Sequence, residues 1–213
     1  MSLPAADQVR AQILAKFPEA KCELVPNDAP NTQPSLLLGK ETAFEVMRFL
    51  RDDASLKMDY LSNVTGVDFL DVVLKEKVKV KKVVDGVEKE VEETIEKKRA
   101  GYLEVVYHLY SMSLKHGPLT LRLRTEDRAA KVHLPSMTPL WRSAEFQERE
   151  IFDLYGIIFD GHPDLRRILM WDEFKDHPMR KDYAEPDDYE YEPTPHDEVL
   201  EKAKKHYSQG VPA

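Results

Sequence analysis

Residues 102–124 read YLEVVYHLYSMSLKHGPLTLRLR, and this stretch decides the fold. Leu103, Val105, Tyr107 and Leu109 recur at every second position, as do Leu119, Leu121 and Leu123. Alternation with period two marks a strand that lays one face on a core. Two strands are therefore expected, over 103–111 and 119–124, with His116-Gly117-Pro118 as the turn between them. The seven named side chains point inward on this reading. His108 has the opposite parity and faces solvent or a helix.

Working upstream, residues 70–112 have the pattern of a long hairpin. Val78, Val80, Val83 and Val84 rise on one side, Val87, Val91, Ile95 and 102–109 return on the other, and Asp85-Gly86 supplies a tight turn. Lysine dominates the ascent and glutamate the first part of the descent. Opposite charges across paired strands contribute about 0.2–1 kcal/mol per pair, which suits antiparallel pairing. A helix over 87–98 is the alternative, because Glu and Lys at that spacing also support one. On either reading the charged arm, about 74–100, projects into solvent and does no chemistry; at most it touches a neighbouring protein.

Nearer the N-terminus, Val9, Ile13, Leu14 and Phe17 before Pro18 predict a helix over 5–17. A short strand follows over 22–25, then a loop over 26–34, then a buried strand over 36–38 ended by Gly39. A second helix, 41–51, buries Phe44, Met47 and Leu50 on one face. Residues 56–69 contain Val64-Thr65-Gly66-Val67-Asp68, a strand whose end is marked by glycine. The fold class is α+β: a two-layer, mostly antiparallel sheet covered by helices over 1–135, with a C-terminal helix-containing irregular extension.

That extension has a different pattern. Thr138-Pro139 reads as a cap and helix start, and Ser143 as a second cap before a main helix, about 144–154, that stops at Gly156. Short apolar pieces then alternate with Gly161, Pro163 and Pro178 up to residue 183. Residues 184–213 form an acidic extended tail with a polar helix near 197–207. Twelve Asp and Glu stand against six Lys and Arg over 172–205, too polar to bury an apolar core alone. The tail is expected to be disordered in isolation or laid across a partner.

On the main helix, Phe146, Arg149, Glu150 and Asp153 share one stripe, and Gln147, Ile151, Leu154 and Tyr155 share the next. The second stripe is the expected contact with the sheet. Asp164, Arg166, Arg167, Arg180, Lys181 and Asp182 come from nearby loops. One reading makes these a solvated face, where exposed ion pairs contribute about 0–1 kcal/mol each. A sharper reading makes them a network that fixes irregular chain and offers arginine forks to another protein's carboxylates or carbonyls. The aromatics Trp141, Phe152, Trp171 and Phe174 fit either core or interface anchors.

A catalytic reading would use Glu148, Glu150 and Asp153 as acid and base, or His162 and His177 as metal ligands. Both histidines precede proline, which favours extended or turn backbone, and they do not share a helix face. Histidines in such turns more often bond to backbone. No nucleophile motif and no Gly-rich phosphate loop occurs in the chain.

Composition narrows the classes further. Hydrophobic residues make up 42% and charged residues 33%, with a net charge of −8. That sign argues against nucleic acid, which needs clustered cations. No apolar run approaches the roughly 18–20 residues that span a bilayer, and the N-terminus lacks a secretion signal, so a cytoplasmic-side protein is expected. Cys22 is the only cysteine, too few for a thiolate-ligated cluster, which takes about four.

The ordered series Glu148-Arg149-Glu150, Asp153, Gly156, Phe159, His162-Pro163, Leu165-Arg166-Arg167-Ile168-Leu169 and His177-Pro178, followed by Arg180-Lys181-Asp182, resembles a known signature. It is that of the thirty-kilodalton subunit family of NADH:quinone oxidoreductase, respiratory complex I. Glu145-Phe146 stand where many members have Asn-Trp, Ala184 where proline is common, and the arm is longer than usual. The resemblance implies a non-redox peripheral-arm subunit at the cytoplasmic side of the bacterial inner membrane, touching the membrane only through the complex. It implies packing against the D subunit, here a separate polypeptide, and neighbouring iron–sulfur subunits.

The signature residues Glu148, Arg149, Glu150, Asp153, His162, Pro163, Arg166, Arg167, His177, Arg180, Lys181 and Asp182 would serve partner binding. NADH, FMN, iron–sulfur clusters and quinone would belong to the whole complex, with no cofactor on this chain. Two other readings stand beside it: an equivalent subunit of a hydrogenase-type or ferredoxin- or F420-linked complex, and a stand-alone metal-dependent or acid/base enzyme.

Overall fold

A computed structural model describes residues 4–27, 33–84 and 87–184, with backbone alone at 74–84, 87–95 and 97. Its elements, in order, are α1 (Ala6–Lys16), β1 (Cys22–Val25), β2 (Ser35–Leu38), α2 (Ala43–Asp52), β3 (Tyr60–Phe69) and β4 (Val72–Val84). There follow β5 (Val87–Arg99), β6 (Tyr102–Ser111), β7 (His116–Arg124), β8 (His133–Pro135), α3 (Ala144–Tyr155) and β9 (Ile158–Asp160). The chain divides into two units, Met1–Lys181 and Asp182–Ala213, and all of these elements belong to the first. The expected helix near 197–207, most of the tail, the Asp85-Gly86 turn and residues 28–32 of the early loop lie outside the described residues.

β6 and β7 are the middle of a five-stranded sheet ordered β1-β2-β7-β6-β3. Only β2 and β7 run parallel; the other pairs are antiparallel. Val105, Tyr107 and Leu109 lie opposite Leu123, Leu121 and Leu119, and these six and Leu103 are all buried as their alternation predicts. Leu36 and Leu38 extend the same face on β2, and Leu61 and Val64 extend it on β3. α1 and α2 add Val9, Ile13, Ala43, Val46, Met47 and Leu50 to this core, while Phe44 is only partly buried. Cys22 sits inside β1, where burial pushes its thiol above the usual range against the opposing pull of Arg10.

Several local expectations change, and the choice between strand and helix over 87–98 falls to the hairpin. The hairpin predicted over 70–112 ends at Arg99, and β6 belongs to the main sheet. Residues 87–98 are strand and not helix; the arm's register sets Lys75, Lys79 and Lys81 opposite Glu96, Glu92 and Glu90. His116-Gly117-Pro118 opens β7 instead of turning, because His116 pairs with Ser111 and the reversal falls on the residues between them.

Gly66 does not end β3 but lies within it, since the Tyr155 ring occupies the space above its Cα. A Cβ there would come within 2.6 Å of that ring. Gly66→Ala is therefore expected to cost about 1–3 kcal/mol in urea unfolding through overpacking. An unchanged midpoint would show that the ring can move aside.

α3 joins the same core, with Trp141, Ala144, Ile151, Ile157 and Phe159 in one cluster with the sheet residues. Gln147 Oε1 accepts from the Val64 N–H on β3, so the second helix stripe meets the sheet as expected. Ser143 does not cap the helix; its hydroxyl donates to Leu61 O. Gly156 ends α3 in the left-handed conformation, φ 77°, as its position predicts. β8 and β9 flank α3 and pair in parallel, which brings 133–135 beside 158–160. Nothing in the sequence pattern points to β8.

Candidate functional site

The first stripe of α3 grips the irregular chain that follows it. Asp153 is fully buried, and its Oδ2 accepts from the backbone N–H groups of Ile168, Leu169 and Met170 at 3.0, 2.7 and 2.9 Å. Its Oδ1 accepts from Arg167 at 2.6 Å. Burial pulls the Asp153 carboxyl upward, but the three amides and Arg167 outweigh it and hold the group below the usual carboxylate range. One turn earlier, Arg149 is buried and donates through Nε to Arg166 O and through Nη2 to Arg167 O, at 3.1 and 3.0 Å. Its guanidinium also lies 5.7 Å from the centre of the Phe146 ring. Two charged side chains of one helix thus satisfy five backbone polar groups of residues 166–170.

Residues 177–181 are tied down by a second set of bonds. His177 donates through Nδ1 to Asp153 O at 3.0 Å, and its ring packs where a Cβ on residue 156 would stand, so Gly156 answers two demands. Burial pushes the His177 imidazole below its ordinary range; nearby Arg180 and Arg167 add to this, against the bond to Asp153. Arg180 donates to Tyr155 O at 2.6 Å and to Arg128 O at 2.9 Å. The Lys181 N–H donates to Asp68 Oδ2 at 2.8 Å, and Arg128 grips the same carboxylate through two bonds of 2.7 Å. Strand β3 and the end of the unit are joined across that one aspartate.

Glu148 faces the other way. It is fully buried and accepts from Ser136 Oγ at 2.6 Å, Met137 N at 2.7 Å and Thr138 Oγ1 at 3.1 Å. Among the described residues no cation faces it, so burial dominates over the three neutral donors and raises its pKa to about 7. Beneath it Tyr107 is fully buried, its phenol pushed up by burial and then by the charge of Glu148. Two carboxylates five residues apart on α3 are therefore shifted in opposite directions: burial wins at Glu148, whereas three backbone amides, with Arg167 after them, win at Asp153.

The other signature residues are more exposed. Glu150 is exposed beside a groove of about 230 Å³ between α3 and β3 that Met179 also lines. Arg166 is exposed and pairs with Asp164 at 2.9 Å. His162 donates through Nε2 to Glu145 O at 2.9 Å and accepts from Asp164 N at 3.0 Å, and Pro163 beside it is exposed. Both nitrogens of His162 are committed to backbone. No group of three or more His, Cys, Asp or Glu among the described residues is placed to hold a metal ion. Glu145 meets Arg142 at 3.7 Å. Asp182 opens the second unit.

Sequence reasoning missed Asp68, Arg128, Ser136 and Thr138 as parts of this arrangement. Asp68 gave a usable signal: it shares inward parity with Val64 and Gly66, and a charge on an inward position needs a partner.

A two-layer α+β unit whose last helix clamps an irregular extension is the class that fold and site define. The chain matches the family described as "Respiratory-chain NADH dehydrogenase, 30 Kd subunit" over residues 36–189, and it belongs to that family. The NADH-quinone oxidoreductase C subunit of Roseiflexus castenholzii is 35% identical over 174 residues, which cover 82% of this chain and 81% of that protein. The C subunit of Salinispora tropica is 38% identical over 149 residues, 70% of this chain, and the chain spans about half, 49%, of that relative's length. A chain of the membrane-bound sulfane sulfur reductase, an archaeal respiratory membrane complex, shares the fold at 18% identity. Its TM-score is 0.50, with 95% of this chain and 91% of that chain covered.

Proposed function

We propose that this chain is a non-redox, position-holding subunit in the peripheral arm of NADH:quinone oxidoreductase. The observation that carries the reading is the direction of its buried charges. Arg149 acts on backbone, and Asp153 and Arg167 act on backbone and on each other, fixing residues 166–170 on α3. Groups used in this way supply rigidity, and electron tunnelling between neighbouring subunits needs fixed distances. On this reading NADH, FMN, iron–sulfur clusters and quinone are held by other chains. The D subunit and the iron–sulfur subunits are the partners, and Arg149 and Arg167 serve them by shaping the loop between. No helix among the described residues is long and apolar enough to cross a membrane. The chain would therefore reach the cytoplasmic face of the inner membrane through the complex.

Membranes from cells lacking this chain test the reading. NADH:quinone activity is expected to fall to background and to return with the wild-type gene. The purified chain is expected to show no flavin or iron–sulfur absorbance and no NADH oxidation. Turnover or a bound chromophore in the isolated chain, or full activity in its absence, would overturn the proposal.

A further inference from the structure

The loop that Arg149 and Asp153 hold so firmly turns its apolar side chains away from the protein. Leu169 is 55% exposed and Ile168 39%, and Phe146, on the stripe that carries the clamp, is 59% exposed. Burying an arginine and an aspartate is unfavourable unless the arrangement recovers the lost hydration. Here the hydrogen bonds to residues 166–170 and the Arg167 pair recover it, and the loop so fixed leaves Ile168 and Leu169 in water. Contiguous exposed apolar residues on a rigid segment mark an interaction site.

We infer that the 166–170 loop with Phe146 is a docking surface for a folded partner protein that has an apolar centre and a basic rim. This rests on the reading of the chain as one member of a complex. Charge selects the occupant. Asp164, Asp172, Glu173 and Asp176 are exposed around the loop against Arg166 and Lys175, so the rim is acidic. An acidic rim repels an anionic lipid surface and attracts Lys and Arg on a protein. Residues 185–213 carry eight Asp and Glu against three Lys, so like charge also disfavours this chain's own tail as the occupant.

The lone cysteine makes the test clean, since Cys22 is buried and its thiol is raised by burial. A Leu169→Cys full chain is labelled with a water-soluble maleimide, once purified alone and once within the native complex. Labelling in the complex is expected to be at least tenfold slower, and a Lys-directed cross-linker from that thiol is expected to reach a partner protein chain. Equal labelling rates in the two preparations would overturn the inference. So would protection already present in the isolated chain, or cross-links confined to residues 185–213, or protection lost on detergent extraction of lipid from an otherwise intact complex. In a second arm, Leu169→Glu is expected to lower recovery in the complex more than tenfold with the isolated chain's melting temperature unchanged; unaltered recovery would count against the surface. A wild-type chain that enters no complex would instead bring down the proposed function itself.

Discussion

Replacing Asp153 by alanine is expected to destabilise the chain by about 3–5 kcal/mol, the cost of breaking a buried ion pair by removing one partner. The substitution strands the Arg167 guanidinium, whose side chain is only 12% exposed, and takes the acceptor from three consecutive backbone N–H groups. Those groups cannot all find water while 166–170 stays on α3, so the loop is expected to detach. Amide exchange resolves this: protection at Ile168, Leu169 and Met170 should vanish, while the amides of β6 lose only what the global change dictates. Acid should act in the same direction. The folded pKa of Asp153 lies below its unfolded value, so its stabilisation is complete above the unfolded pKa and is lost as pH falls through the folded one. Equal exchange rates at 168–170 in wild type and Asp153→Ala would show that the clamp is not what holds the loop.

Glu148 is expected to show the opposite dependence. Its folded pKa of about 7 lies above the unfolded value of about 4.3, so the folded state binds the proton more tightly. Below the unfolded pKa both states are protonated and no difference arises. Between the two values stability falls by up to about 1.36 kcal/mol per pH unit as pH rises, and above about 7 the whole difference, about 4 kcal/mol, has been lost. Glu148→Gln keeps the shape. Its Oε1 can accept from Met137 N, while Nε2 donates to the hydroxyls of Ser136 and Thr138, which can turn to accept. The variant should match wild type near pH 4 and exceed it near pH 8, in urea unfolding at each pH. Glu148→Ala should lose about 2–5 kcal/mol at either pH, because it leaves a buried N–H unpaired and a cavity behind. A difference between Glu148→Gln and wild type that does not change with pH would mean the carboxyl titrates normally.

These two carboxylates show where sequence reading stops. Glu148 and Asp153 stand in one short motif of charged residues on one helix, and nothing in their spacing says that Asp153 meets three backbone amides and a guanidinium while Glu148 meets one amide and two hydroxyls. The network reading has Arg149 and Arg167 fix irregular chain as well as offer forks to another protein, but it does not say which groups they hold: this chain's carbonyls and Asp153. Glu104 is similar: at the outward parity of β6 it is nonetheless buried, because Arg122 and Arg124 of β7 close over it at 2.9 and 2.6 Å. Helix and strand periods name the face a residue occupies. They do not name the long side chain that reaches across to it.

The sheet and its filling follow from local pattern. Leu103 to Leu109 and Leu119 to Leu123 alternate inward because strand geometry sends successive side chains to opposite faces, whatever the rest of the chain does. The stop of α3 at Gly156, the contact of Gln147 and Tyr155 with β3, and the family signature were legible for the same local reasons. Tertiary structure alone decided that Lys181 would meet Asp68, 113 residues away, and that 166–170 would lie along Arg149 and Asp153. Those contacts run through irregular chain with no period to read. Their partners are chosen by which buried polar groups happen to be left unsatisfied once the core has closed.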